Sequence, residues 1–317
     1  MHIRSRLIAL LLGLFLWVPA LSAAPAAARE RATVVEVSST RFEVDAPVGM
    51  AGSVATAVRV IEQEWPGIAT RVGVPAGGRV TVSAERDMND WFAREGIPSQ
   101  PPEWASGLTI PSRMTVLMAP SNPEWERTLA HELAHIAVAL AADRRAVPRW
   151  FNEGYAMEVS HDWDVERVAQ LSGAAVMGRL YSFDALTAGY PPGAGQAELA
   201  YAQSFHMVRW LEGEFGAELG RRIFAEMRRS GGSWDEAFAT VTGQPFVAAE
   251  QAWLDYVEGR FHWLPVATGV GAGWVLVALL GLWAWRRRGR QKAAKLKVME
   301  RRQKGAYRAD PDDTTFG

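Results

Sequence analysis

The sequence predicts an α+β fold with one membrane-spanning helix near its C-terminus. Three observations predict it. Alternating, β-branched segments are confined to residues 33–118, the apolar spacing from residue 123 to 261 is helical almost throughout, and residues 264–285 form an uncharged apolar run. Strands gathered in one part and helices in the other give an α+β rather than a strictly alternating architecture. At 317 residues the chain is long enough for one large or two small globular units.

The elements follow in order. Arg4 and Arg6 precede an apolar run over 7–21 and a small-residue stretch over 22–28. That is the three-part pattern of an export signal, expected over 1–28 with cleavage after Ala28. Ala26, Ala27 and Ala28 fit the cleavage rule, whereas a cut after Ala24 puts Pro25 beside the scissile bond. Residues 33–45 read as two short strands joined by a turn at Ser38-Ser39. Val54, Ala57, Val58 and Ile61 have helical spacing, interrupted at Pro66-Gly67, with a second short helical piece ending at Gly73. A strand over 79–83 and a short helix over 87–95, capped by Asp87, come next. Residues 104–110 and 113–118 read as two strands joined at Pro111-Ser112. Asn122 as cap, Pro123 at the first position and Glu124 and Glu126 in the first turn start a helix reaching about Ala141. Further helices are expected at 149–161, 164–172, 197–215, 217–229, 233–242 and 246–261, with glycine stops at 216, 231–232 and 243.

The apolar run over 264–285 slightly exceeds the roughly 20 residues that cross a bilayer core. Trp263, Trp283 and Trp285 lie at its ends, and Arg286, Arg287, Arg288 and Arg290 follow. A span over 263–285 with the tail 286–317 in the cytoplasm is therefore expected, placing the body outside. Charge agrees: the tail holds eleven basic against four acidic residues, while residues 30–285 hold twenty arginines, thirty-one acids and no lysine. So acidic a body argues against nucleic acid as a partner. The absence of cysteine excludes disulfides, thiolate ligands and a cysteine nucleophile.

His131-Glu132-Leu133-Ala134-His135 carries the chemistry. Two histidines four apart share one helix face and can grip one zinc ion. Glu132, turned by about 100° from His131, can reach a water rather than the ion. Leu129, Leu133, Ile136 and Leu140 form an apolar stripe on the opposite face. Zinc needs a third protein ligand and an open position. Glu153 is the candidate, because its depth in the helix after 149 matches that of His135 in an antiparallel pair. His161, Asp162 and Asp164 are rivals near the far end of that helix. Residues 105–109 are a candidate strand edge for pairing with a substrate backbone.

Two stretches, TLAHELAH at 128–135 and PRWFNEG at 148–154, resemble the peptidase MA-like gluzincins, the thermolysin and aminopeptidase N relatives. Residues 200–204, 215–216 and 234–261 also resemble the small bacterial members, so the likeness covers about 32–262. It implies a mixed sheet packed on the HExxH helix, then a helical half, with the cleft between. It also implies one zinc per chain held by His131, His135 and Glu153, with Glu132 as general base in peptide hydrolysis. In gluzincins a Tyr or His from the helical half donates to the oxyanion: Tyr201 fits that position, and His206 and Tyr155 are alternatives. Thermolysin-like enzymes place an aspartate four residues after the ligand glutamate to orient a zinc histidine. Here Met157 stands there, leaving that partner unidentified, and Glu158 reads as a solvated carboxylate. The expected organisation is an export signal over 1–28, an α/β part over 29–120, the HExxH helix and helical half over 121–262, the span and the tail. The alternatives are a non-enzymatic sensor or assembly module of the cell envelope, and a zinc hydrolase of a non-peptide substrate.

Overall fold

The computed structural model describes residues 28–98, 105–120, 123–161, 171, 173–175, 177–261, 273, 275–283 and 285–287. The expected export signal up to residue 27, the helix expected over 164–172 except Leu171, Asn122, Asp162, Asp164 and all of the basic tail but Arg286 and Arg287 lie outside these residues.

Five strands form one mixed sheet in the order β1-β2-β3-β5-β4. β1 (Thr33–Val37) and β2 (Thr40–Asp45) are antiparallel, joined by the two-residue turn at Ser38-Ser39. Both serines have positive φ, 49° and 61°, the geometry that matches the twist of a tight hairpin. β2 pairs in parallel with β3 (Arg79–Ala84), and β3 in parallel with β5 (Thr115–Met118). β4 (Gly107–Ile110) closes the order antiparallel to β5 and is an edge strand. A 3₁₀ turn, Pro111–Arg113, joins β4 to β5, so β5 starts at Thr115 rather than at Arg113, directly after the expected Pro111-Ser112 join.

Both faces of the sheet are covered. α1 (Ala51–Val72) and α3 (Trp125–Ala141) bury Val60, Ile61, Trp65, Leu129, Leu133 and Ile136 against one face. α2 (Met88–Arg94) covers the other with Met88, Trp91 and Phe92 around Leu117. All four residues of β5 are buried for this reason. The break expected at Pro66-Gly67 does not occur: α1 runs through Pro66. A mid-helix proline costs about 3 kcal/mol, and the buried row Trp65, Ile68, Ala69 and Val72 on either side of it outweighs that cost. α3 starts at Trp125 rather than at Pro123, after Glu124 in a turn.

The remaining helices form the second half: α4 (Arg149–Val159), α5 (Phe183–Ala188), α6 (Ala194–Phe215), α7 (Leu219–Ser230), α8 (Trp234–Thr242) and α9 (Phe246–Phe261). Gly231 and Gly243 end α7 and α8 in the left-handed conformation. α5 is absent from the sequence expectation. It is six residues long, capped by Ser182, and held by buried Phe183 and Leu186. Trp150 and Phe151 of α4 sit in an aromatic cluster with Phe183, Phe224, Trp234 and Phe246, which fixes the first turn of α4. Among the described residues no helix is long and apolar enough to cross a membrane. The span expected over 263–285 thus has no support there, and half of its core, 264–285, lies outside them.

Candidate metal centre

α3 has two faces with different tasks. Its leucine and isoleucine stripe is locked into the core, so His131 and His135, on successive turns, are held toward α4. Their Nε2 atoms lie 3.1 Å apart. Glu153 reaches in from α4, with Oε2 3.4 Å from His135 Nε2 and 3.8 Å from His131 Nε2. A tetrahedral zinc site with bonds of about 2.0–2.2 Å sets ligand atoms about 3.3–3.6 Å apart, so this triangle is close to the dimensions of a metal site. Two imidazoles and a carboxylate are also a donor set that suits zinc with a position left open. Among the described residues, these three form the one group of histidine, aspartate and glutamate side chains able to hold an ion. His161, a rival from sequence, lies exposed past the end of α4 with φ 56°, outside the group.

His135 and Glu153 form a charged pair. Burial pushes the His135 imidazole down, but the Glu153 carboxylate, and with it Glu132 and Asn152, outweigh burial and raise its pKa to about 9. Burial likewise pushes Glu153 up, and the two histidines reverse this, holding it well below the usual carboxylate range. A metal entering the triangle therefore displaces a proton from His135.

The partner that orients the imidazole is Asn152. His135 Nδ1 lies 3.1 Å from Asn152 Oδ1. With Nδ1–H donating to the amide oxygen, the proton that a metal displaces is the one on Nε2, which leaves the Nε2 lone pair to bind the metal. The residue next to the carboxylate ligand candidate thus does what the missing aspartate at position 157 does not, and Met157 is buried core. The clue in the sequence is the single amide side chain one step before Glu153.

Glu132 is buried, 8% exposed, and faces the cleft from below. Thr109 of β4 donates its hydroxyl to Glu132 Oε2 at 2.6 Å. β4 can lie this close to α3 because residue 107 is glycine: a Cβ there would stand 2.8 Å from Thr128 Cγ2 and 3.0 Å from Glu132 Cγ. A second close approach sets the other wall. A Cβ at Gly154 would collide with the Ser204 carbonyl, so only glycine lets α4 meet the α6 backbone there. Tyr201, one turn before Ser204, is thereby brought to the cleft beside Glu153. The cleft, about 260 Å³, runs between β4, the HExxH turn, the first turn of α4 and Tyr201.

The three oxyanion-donor candidates separate. Tyr201 lines the cleft, and burial and the Glu153 charge push its hydroxyl up to about 12, against the opposing pull of Arg149. It is a neutral donor at physiological pH. Tyr155 does not reach the cleft: it is fully buried, stacks on Phe151 and donates its hydroxyl to the Arg71 carbonyl at 3.2 Å. His206 lies about 140° round α6 from Tyr201. Its Nδ1 accepts from Trp253 Nε1 at 3.0 Å, and burial with the nearby Arg260 charge lowers its pKa to about 4. It is a neutral acceptor in the α6–α9 contact. Glu158 is not a solvated carboxylate. It is 12% exposed and paired with Arg209 of α6 at 2.7 Å.

The family model described as Peptidase MA superfamily matches residues 93–259, more than half of the chain. The chain belongs to the peptidase MA superfamily. No curated protein matches it significantly. The matched peptidase domain begins in α2 and ends in α9, so it takes in the edge strand β4, the His131–His135–Glu153 triangle and both walls of the cleft. Membership assigns the chain a hydrolase domain of the peptidase type. The mixed sheet against the HExxH helix and the helical half beyond it agree with the architecture that the gluzincin resemblance implies.

Proposed function

We propose that the chain is a membrane-anchored zinc peptidase that works outside the cytoplasm, with His131, His135 and Glu153 as metal ligands and Glu132 as general base. One observation carries the reading: the metal-sized triangle and the buried Glu132 carboxylate open on the same cleft. A non-catalytic sensor or assembly module has no use for a carboxylate in that position.

His131 Nε2, His135 Nε2 and Glu153 Oε2 would hold one zinc ion, which when bound polarises the scissile carbonyl and acidifies the attacking water. Glu132 takes the proton of that water and passes it to the leaving amine. Thr109, at 2.6 Å, keeps the Glu132 carboxylate in one orientation through both transfers. Tyr201, protonated with its pKa at about 12, donates to the oxygen on which negative charge develops. Asn152 holds His135 in the tautomer that presents Nε2. The outer side of β4, which no strand among the described residues pairs, binds an extended substrate without reading its side chains.

The expected result is hydrolysis of an unstructured protein by the purified full chain, stopped by a chelator and restored by added zinc. Failure to cleave casein or any member of a mixed peptide library, with zinc supplied, contradicts the reading. The membrane anchor rests on the apolar run over 264–285, whose described leucines, valines and tryptophans are exposed, and on the arginines that follow it. A reporter fused after Gly317 is expected to be active in the cytoplasm. Activity confined to the outside overturns the orientation.

A further inference from the structure

Arg149 is the one arginine or lysine among the described residues that line the cleft. It opens α4, four residues before Glu153 and on the same face. Helix stability gives it no reason to be there: the first turn of a helix favours acids and opposes a cation. Nor does its ion pair explain it. Arg149 Nε is 3.7 Å from Glu153 Oε1, and the side chain is 47% exposed, a geometry in which an ion pair contributes little.

The guanidinium is nevertheless held. Its Cζ stands 4.8 Å from the Tyr190 ring centroid. That ring is itself fixed, edge to face with Tyr201 at 4.8 Å and with its hydroxyl 2.6 Å from Ser204 Oγ. Glu153 on one side, the Tyr190 ring and a hydrogen bond to the Tyr201 hydroxyl therefore hold the guanidinium, while nearly half of the side chain stays exposed. A planar, preset guanidinium with terminal N–H groups in reach of solvent matches a carboxylate, which it can grip with two parallel hydrogen bonds. Glu153 Oε2, the oxygen nearer the histidines, is the atom turned to the metal triangle, so Arg149 on Oε1 does not compete with it.

We propose that Arg149 recognises a carboxylate of the substrate, so that the cleft selects peptides carrying either an acidic side chain beside the scissile bond or a free C-terminus there. The inference rests on the peptidase reading and adds the substrate class to it.

Two matched pairs of fluorogenic peptides test it on the full chain in detergent. One pair differs by Glu against Gln beside the scissile bond, with both ends blocked. The other differs by a free against an amidated C-terminus. Wild type is expected to favour the carboxylate member of at least one pair by about tenfold or more in kcat/KM, the scale of a charged bidentate contact. The pair that responds identifies the source of the carboxylate. In Arg149→Gln the ratio should fall to near one, and in Arg149→Glu it should invert toward a lysine-bearing peptide. Arg149→Lys should keep part of the preference. A merely structural arginine would lower both members alike and leave the ratio unchanged. Cleavage of both members at similar rates by wild type, or a preference that survives Arg149→Gln, overturns the inference and leaves the peptidase reading standing. No cleavage of any peptide by wild type overturns both.

Discussion

Replacing Glu132 with glutamine is expected to stop hydrolysis and leave the metal in place. The two side chains have the same shape, and Thr109, which donates to Glu132 Oε2 at 2.6 Å, can donate equally to an amide oxygen. Glu132 is buried at 8% exposure, so a neutral amide of the same size leaves the packing between α3 and β4 intact. What the amide cannot do is accept the proton of the attacking water. Loss of a general base typically costs about 10² to 10⁴ in rate, and the drop should appear in kcat. Glu132 is outside the His131, His135 and Glu153 group, so metal content should be unchanged. Activity within a few-fold of wild type would place the base elsewhere. Loss of the metal together with activity would make Glu132 a ligand.

Glu153→Ala should have the opposite signature, with the metal lost first. The substitution removes the one carboxylate whose oxygen stands 3.4 Å and 3.8 Å from the two Nε2 atoms, and a pair of histidines on one helix is then left to bind alone. Disturbing a residue that only orients a ligand already costs roughly ten- to a hundredfold in affinity, so removing the ligand should cost more than about a hundredfold. In the metal-free protein the change also releases His135, whose pKa of about 9 comes chiefly from the Glu153 charge working against burial. Its folded value lies above the unfolded one of about 6.5, so the stability it contributes is fully present below pH 6.5 and disappears as the pH rises through 9. Glu153→Ala should therefore cost stability at pH 6 and much less at pH 9.5. Glu158→Ala is the control on the same helix. Its carboxylate pairs with Arg209 at 2.7 Å, and the variant should bind zinc as wild type does. Equal zinc affinity in both variants would remove Glu153 from the site, with His161 and Asp162 next to be tested.

The parts of this protein that could be read from sequence are those in which cause and effect lie within a few turns of each other. His131 and His135 stand four apart on a helix whose apolar stripe is written in the same seventeen residues, so the motif and its orientation are local facts. Glu153 needed only one further step, the depth match between two consecutive helices. The glycine stops of α7 and α8 and the hairpin at Ser38-Ser39 are equally local.

What was missed is non-local. Thr109 meets Glu132 across 23 residues, and Glu158 meets Arg209 across 51, so neither hydrogen bond leaves a trace in its own segment. Tyr155 and Tyr201 both sit on helices near the site. The packing of α4 on α1 and α7 turns the first into the core, with its ring against Gly220, and the close approach of α4 to α6 at Gly154 brings the second to the cleft. Pro66 is a strong local breaker, yet the buried side chains on both sides of it prevail. α5, at six residues, is too short to show a period, and its existence depends on a hydrophobic socket built by other helices.

Metal analysis of the full chain, purified without added metal or chelator and dialysed exhaustively, tests the central claim most directly. About one zinc per chain is expected, the stoichiometry of a single three-ligand site, and none in the double variant His131→Ala with His135→Ala. A chain that takes up no zinc even when it is supplied, or a double variant that holds as much zinc as wild type, would contradict it.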